Sequence, residues 1–316
     1  YKLNNIIEIK EFKQPPVTSY ILNSSYLGGI LQQLPKNKYG ILPLKLDKFF
    51  NSNSFKFMEK EKAGNLKKSS HLILRKGIEQ NQKYSFLQAI SSIITNNSSK
   101  QLYKTCDDYI KDLIGSLTPD KFVSLNNGDI FKYFHQITDY SENHHIFILW
   151  CKKYESQLKY FKYIELEDII KDSYTTLKED INKNMNIRHL YNIYISMENY
   201  KKYLCDMNIY KDYNLLIDLL SQFSNYNIFI LDETKSKQIK LINPINSDIL
   251  NIYKQNRDNI ILYKVGLFYE PLYELEKNVN ENLLPEKIVF SKQKYILKVN
   301  KLKKLLEKQN KNNSVS

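Results

Sequence analysis

The hydrophobic period changes after Tyr226, and this change limits what the chain can fold into more than any other feature. Before it, apolar residues recur at helical spacing, for example Ile187, Leu190 and Tyr194. After it, they form short runs bounded by polar turns, at residues 227–231, 238–243, 259–264 and 267–275. Such runs are typical of strands. The pattern predicts an α+β fold, with a mainly helical first two-thirds followed by a small, mostly antiparallel β-module.

The same pattern divides the 316 residues into three regions. Residues 1–205 are expected to form a mainly helical domain with an irregular N-terminal arm, because Pro15-Pro16 excludes helix there. Residues 206–295 are expected to form the α+β module. Residues 296–316 are predicted to form a basic amphipathic helix with a disordered tail, since apolar residues fall at helical spacing among lysines.

Local signals place individual elements within these regions. Thr118-Pro119-Asp120 predicts a helix start with proline at its first position, and Asn126-Asn127-Gly128 predicts a break. Further helices are predicted from about residue 84 and over residues 102–113, 144–151, 165–183, 186–204 and 215–223.

The β-module carries two local signals of its own. Val265-Gly266 marks a hairpin, but valine disfavours the positive φ of a two-residue turn, so we expect a longer or bulged loop. Pro271 has no N–H to donate to a neighbouring strand, so an edge strand or a bulge is expected there.

A formal net charge of +13 suggests a polyanionic partner such as nucleic acid. The composition also allows a different explanation. Only three arginines accompany 44 lysines, and only two alanines occur, which is what an AT-rich genome encodes. Lysine lacks the planar fork with which arginine reads guanine edges. If DNA binds, contacts to the phosphate backbone should therefore dominate.

Three cysteines, Cys106, Cys151 and Cys205, lie far apart and form no CxxC pair, which fits a reducing intracellular compartment rather than a disulfide framework. No apolar run approaches the roughly 18 residues needed to cross a membrane. The chain starts at Tyr1 rather than Met, so we expect it to be a segment of a longer protein.

The residues of the chain disfavour three kinds of site that carry chemistry. His144-His145 are adjacent and point in different directions, which disfavours a metal site. The hairpin around Phe268 resembles the closing hairpin of OTU-type cysteine proteases, but no histidine follows His189 to activate a thiol. Phosphate-binding glycine loops are absent. We therefore expect no catalytic residue, no metal and no other cofactor.

A metal-dependent nuclease is the remaining enzymatic alternative. Such enzymes use an acidic residue and a Glu-x-Lys pair on neighbouring strands to position magnesium and water. Glu233-Thr234-Lys235, preceded by Asp232, fits the second half of that pattern. These residues are expected in a polar turn after residues 227–231, rather than inside a strand.

Tyrosine alternates with lysine in several segments, among them Lys152-Lys153-Tyr154 and Tyr200-Lys201-Lys202-Tyr203. Such a pattern can stack on bases and neutralise phosphates. It can equally place tyrosine at helix boundaries, with its ring packed and its hydroxyl in contact with water.

Several segments, taken in order, resemble a conserved segment of large cytoplasmic DNA virus proteins related to the large subunit of the poxvirus early transcription factor. No single motif is specific; their order and spacing carry the resemblance. The segments are residues 39–43 with 48–50, residues 74–80 with 85–87, Phe122 with residues 126–130 and Phe134, and residues 227–231, 241–246 and 260–273. The chain departs from the family where members often carry Cys-Pro-Thr-Asn, since it has Asn243-Pro244-Ile245-Asn246.

The resemblance implies a non-catalytic, DNA-associating segment of a viral early transcription-initiation factor. It also implies docking on a helicase-like small subunit and on viral RNA polymerase, in the host cytoplasm (viral factory) or the virion, with no membrane partner. The nuclease centred on Glu233 and Lys235 and a pure interaction scaffold remain alternatives. The residues expected to contact DNA phosphates are Lys152, Lys153, Lys201, Lys202, Lys301, Lys303 and Lys304.

Overall fold

The computed structural model describes residues 27–28, 33–52, 72–78, 81–97, 105–135, 144–157, 185–233, 239–242, 254, 256–275 and 286–287. The helices in these ranges are α1 Leu44–Phe50, α2 Ser85–Asn97, α3 Cys106–Ser116, α4 Pro119–Ser124, α5 Ile130–Phe134, α6 His144–Tyr154, α7 Met185–Cys205 and α8 Tyr213–Ser224. The strands are β1 Leu27–Gly28, β2 Tyr39–Gly40, β3 Leu72–Lys76, β4 Asn227–Glu233, β5 Ile239–Ile242, β6 Asn259–Val265, β7 Phe268–Leu275 and β8 Glu286–Lys287.

The α+β class predicted from the sequence is confirmed. Most helices precede β4, and the four strands expected after Tyr226 are all present, with end points that differ from the expected ones by at most two residues. The helices predicted over residues 165–183 and 296–316 lie outside the described residues. The boundary expected near residue 205 falls between α7 and α8, whose buried side chains belong to one cluster, and it stays a prediction.

The strands form a single mixed sheet in the order β1-β2-β3-β7-β6-β4-β5, with β8 also paired to β7. Pairing is antiparallel except between β1 and β2 and between β4 and β6. The sheet is not confined to the C-terminal module, because β3 pairs with β7 and brings β1 and β2 with it. Sequence periodicity does not reveal such pairings, which join residues almost 200 positions apart.

Both faces of the sheet are covered. Ile228 and Ile230 of β4 pack with the helical layer, whereas Phe229 and Leu231 pack with α1 on the other face. Successive strand residues point to opposite faces, so a strand covered on both sides is apolar throughout. This explains why residues 227–231 read as a continuous apolar run rather than an alternating one.

A buried ion pair joins β3 to β7. Arg75 Nη1 lies 2.6 Å from Glu270 Oε2, and the two side chains are 0% and 2% exposed. Arg75 Nε donates to Ile41 O at 3.1 Å, and the Leu34 N–H donates to Glu270 Oε1 at 2.7 Å. Burial raises the pKa of Glu270, and the guanidinium and the Leu34 N–H oppose that rise. The pair therefore fixes the segment before α1 against the sheet.

The hairpin between β6 and β7 differs from the prediction. Val265 pairs with Phe268, so the turn has two residues, Gly266 and Leu267. Gly266 has a φ of 62° and occupies the first turn position. Glycine rather than valine takes the positive φ, so the expected longer or bulged loop was wrong.

Pro271 is not at an edge, because β7 lies between β3 and β6. Residues 268–271 pair with β6, and residues 272–275 pair with β3. Pro271 is the last residue of the first set, so its missing N–H falls where pairing passes from one neighbour to the other. The expectation of an edge strand or a bulge was therefore wrong, because β7 is an inner strand and its pairings with β6 and β3 contain no inserted residue.

Candidate nucleic-acid interface

The lysines expected to meet phosphates differ in their surroundings. Lys152 and Lys153 lie in the last turn of α6, and Lys202 lies in the last turn of α7; all three are exposed. Among the described residues, none of the three has a carboxylate within ion-pair distance. Lys153 Nζ also lies over the Tyr154 ring, 5.1 Å from its centroid.

Lys201 lies next to Lys202 but in a different environment. Its side chain is 17% exposed, and Nζ is 2.7 Å from Glu198 Oε1, one turn earlier on α7. It would have to give up this partner to contact a phosphate. Lys301, Lys303 and Lys304 lie outside the described residues.

The tyrosines between these lysines belong to the core. Tyr154 is 6% exposed, and Tyr200 is fully buried. Tyr200 donates its hydroxyl to Leu215 O at 2.7 Å, and Tyr203 donates to Tyr210 O at 3.1 Å. Burial raises the pKa of both phenols, so they stay neutral. Of the two explanations for the tyrosine–lysine pattern, ring packing fits these three residues. The expectation that the hydroxyls contact water was wrong for Tyr200, because its buried hydroxyl bonds a backbone carbonyl.

Lys211 is a buried cation that sequence reasoning missed. Its ammonium donates to Tyr203 O and to Asp206 O, the latter at 2.5 Å, at the C-terminal end of α7. A lysine at this place satisfies carbonyls that the helix leaves unpaired and opposes the negative end of the helix dipole. Burial lowers the pKa of Lys211 to about 8. The residue has a structural role, and no periodicity signal marks it.

The acidic residues of the nuclease alternative are in β4, which runs through Glu233. The expectation that they lie in a turn after residues 227–231 was wrong for Asp232 and Glu233. As neighbours on a strand they point to opposite faces, so they cannot converge on one ion. Tyr263 donates its hydroxyl to Glu233 Oε2 at 3.3 Å. Lys235 lies outside the described residues.

A polar cleft of about 420 Å³, called here the α4–α8 cleft, opens between α4, α8 and the loop before β6. Lys121 reaches it from α4, and Lys254 and Arg257 reach it from the loop. Among the described residues that line it, Asp218 is the one carboxylate. Three cations therefore face one anion, and the cleft carries a net positive charge.

Asp218 is already occupied by hydrogen bonds. Oδ2 accepts from the Asn126 N–H at 2.9 Å, and Oδ1 accepts from Gln222 Nε2 at 3.0 Å. Both carboxylate oxygens thus serve α8 and the adjoining turn. The positive charges of Lys121 and Lys254 are not neutralised by an ion pair within the described residues.

The turn after α4 supports one wall of the cleft. Asn126 and Asn127 have φ values of 50° and 56°, and Gly128 has a φ of 87°. Asparagine tolerates this left-handed conformation better than most residues. The turn is held by Asp218 and by Asn126 Nδ2, which donates to Asn214 O at 2.8 Å. The predicted break at Asn126-Asn127-Gly128 is confirmed, and it places Asn127 on the cleft wall.

The opposite wall is fixed by Asn227, the first residue of β4. Its side chain bonds Lys254 in both directions, accepting from the N–H at 2.9 Å and donating to the carbonyl at 2.9 Å. Arg257 donates to Ser221 Oγ at 3.1 Å, and burial lowers its pKa while Asp218 opposes that shift. Lys254 and Arg257 were missed at the sequence level because the loop has no periodic pattern.

The described residues contain no group of three or more His, Cys, Asp or Glu side chains placed to hold a metal ion. No described helix has the length and apolar character needed to cross a membrane. No protein-family model matches the chain, and no curated protein matches its sequence.

Proposed function

We propose that this chain is a non-catalytic module that associates with DNA through lysine–phosphate contacts. The observation that carries the proposal is the state of Lys152, Lys153 and Lys202. They are exposed, and within the described part of the chain they have no carboxylate partner. An exposed ammonium group without a carboxylate partner can replace the counterions condensed on a phosphate backbone.

The wider setting of the proposal comes from the resemblance to the poxvirus early transcription factor family. In that setting the chain is a segment of a viral early transcription-initiation factor that acts in the host cytoplasm or the virion. Its partners are a helicase-like small subunit and viral RNA polymerase. Ile146 and Leu149 support docking on a protein partner, because they lie three residues apart on α6 and are 54% and 51% exposed.

The test is a titration of the chain with a labelled DNA duplex at several salt concentrations, followed by fluorescence anisotropy. Binding should weaken steeply with salt, with a slope of log affinity against log salt of about −0.9 for each phosphate contacted. Binding that does not depend on salt, or no binding at low salt, would contradict the proposal. Incubation of the chain with the same duplex and magnesium should leave the duplex intact.

A further inference from the structure

We propose that the α4–α8 cleft binds one nucleotide of a single-stranded nucleic acid, with its phosphate at Lys254 and Arg257 and its base against Phe223. This inference rests on the proposed nucleic-acid association and adds a defined site to it. The lysines on α6 and α7 contact the backbone from the outside, whereas the cleft receives a single unit.

The size of the cleft favours a nucleotide over a lone phosphate ion. A volume of about 420 Å³ lies within the range of pockets that bury a small organic ligand. A paired base stays stacked inside a duplex and cannot enter a cleft of this kind without being extruded. The fitting ligand is therefore a nucleotide that is already unpaired.

The charges of the cleft place the phosphate. Lys254 is exposed at the rim, and Arg257 is 8% exposed, with its guanidinium held by Ser221. Lys121 contributes a third positive charge, while its Nζ donates to Ser116 O at 3.0 Å. Asp218 keeps its negative charge, because the Asn126 N–H and Gln222 Nε2 that it accepts from are neutral, and the three cations outnumber it.

The side of α8 that lines the cleft suits a base. Phe223 and Leu219 give an apolar wall, and Phe223 is partly exposed, with its ring centroid 5.6 Å from that of Tyr109. Aromatic rings accept any base by stacking. Gln222 uses one N–H for Asp218, so its carbonyl oxygen is left as an acceptor for a base edge.

The experiment measures binding of thymidine monophosphate, thymidine and inorganic phosphate to the full 316-residue chain by calorimetry at low salt. The monophosphate should bind about tenfold more tightly than either of its parts, because only it engages both the cations and the ring. Equal affinity for inorganic phosphate would overturn the nucleotide site, and so would the absence of binding.

Two variants and one control locate the site. Lys254→Ala removes the exposed cation, and Phe223→Leu keeps apolar packing but removes the ring; each should weaken monophosphate binding about tenfold. Lys45→Ala removes an exposed lysine from α1 and should leave binding unchanged. If the two cleft variants and the Lys45→Ala control bind the monophosphate with equal affinity, the inference is wrong. Thermal melting of each variant confirms that it is folded.

The two proposals fail in different ways. Lys254→Ala should reduce binding of a single-stranded oligothymidine while leaving duplex affinity unchanged within about twofold, since the duplex contacts other lysines. Loss of duplex binding with retained monophosphate binding would contradict the backbone-binding function and support the cleft. Duplex binding without monophosphate binding would remove the cleft alone.

Discussion

At the scale of single residues, Arg75 and Arg257 serve different purposes. Arg75 is fully buried against Glu270, whereas Arg257 lines the α4–α8 cleft and is held there by Ser221. Arg257 and the exposed lysines are the groups proposed to contact a polyanion. The resemblance segments around Arg75 and Glu270 are far apart in sequence and adjacent in the sheet. Both segments therefore have a structural reason for their residue types.

Breaking the Arg75–Glu270 pair should strongly destabilise the fold. Arg75→Met leaves a buried carboxylate without its cation, which costs about 3–5 kcal/mol in the free energy of unfolding. Urea denaturation followed by circular dichroism measures this. Lys132→Met is the matched control, because the Lys132–Asp129 pair is exposed and should contribute nothing measurable. Equal effects of the two variants would contradict the role given to Arg75.

The three cysteines should react with a thiol reagent in order of exposure. Cys205 is exposed, Cys106 is partly buried, and Cys151 is buried with its pKa raised to about 12 by desolvation. At pH 8 Cys205 should label first and Cys151 only on unfolding, as read by mass spectrometry. Rapid labelling of Cys151 in the native protein would show that α6 is not packed as described.

The raised pKa of Cys151 also fixes a pH dependence. Between the ordinary thiol pKa of 9.0 and the native value of about 12, the native state keeps a proton that the unfolded state has lost. Stability should therefore fall as pH rises through this window. A Cys151→Ala variant should show a shallower fall in urea denaturation series across the same pH range.

At the scale of elements, local sequence signals predicted what local chemistry decides. Thr118 caps α4, and Pro119 takes its first position. Proline suits this position because it has no N–H, and an N–H there would have no partner within the helix. The turn at Gly266 was expected to be longer or bulged because Val265 was taken as a turn residue. The sequence alone does not say which residue takes the positive φ, and in the structure it is Gly266. The extent of β4 through Glu233 was missed because its last two residues, Asp232 and Glu233, are acidic and do not continue the apolar run.

Gly77 at the end of β3 should not tolerate a side chain. A Cβ there would overlap the carbonyl oxygens of Leu34 and Pro35, and the Gly77 backbone bonds both Asn37 and Lys38. Gly77→Ala should lower the free energy of unfolding and break the backbone hydrogen bonds that join Asn37 and Lys38 to Gly77. Gly115→Ala in α3 meets no neighbour and should stabilise the protein by about 0.5–1 kcal/mol. Thermal melting of the two variants should give opposite shifts; shifts of the same sign would contradict the packing around Gly77.

At the scale of the whole molecule, the sequence predicted the class of the fold but not its organisation. Helices and strands follow from periods of 3.6 and 2, which are local properties. The β3–β7 pairing and the α4–α8 cleft depend on which distant segments meet, and local periodicity does not reveal this. The cleft is built from α4, α8, the Asn126-Asn127-Gly128 turn and the loop before β6. The sequence predicted the turn and the two helices, but not the loop or the way these elements meet.

The central claim is that lysines on α6 and α7 contact a DNA backbone. The alternative is that codon bias supplies lysines over the whole surface and that none has a role in binding. Replacing Lys152, Lys153 and Lys202 with alanine removes three charges from these helices. Replacing Lys36, Lys45 and Lys48 with alanine removes the same charge from exposed positions in α1 and the turn before β2. The two triple variants therefore have equal net charge and differ only in where it is lost.

The deciding measurement is how the affinity of each triple variant for a DNA duplex changes with salt concentration. The α6–α7 variant should lose about 0.9 in the magnitude of the log–log slope for each lysine that contacts a phosphate. The α1 variant should keep the slope of the unmodified chain. Equal slopes for the two variants would mean that position does not matter, and the account of a DNA-binding surface on α6 and α7 would be wrong.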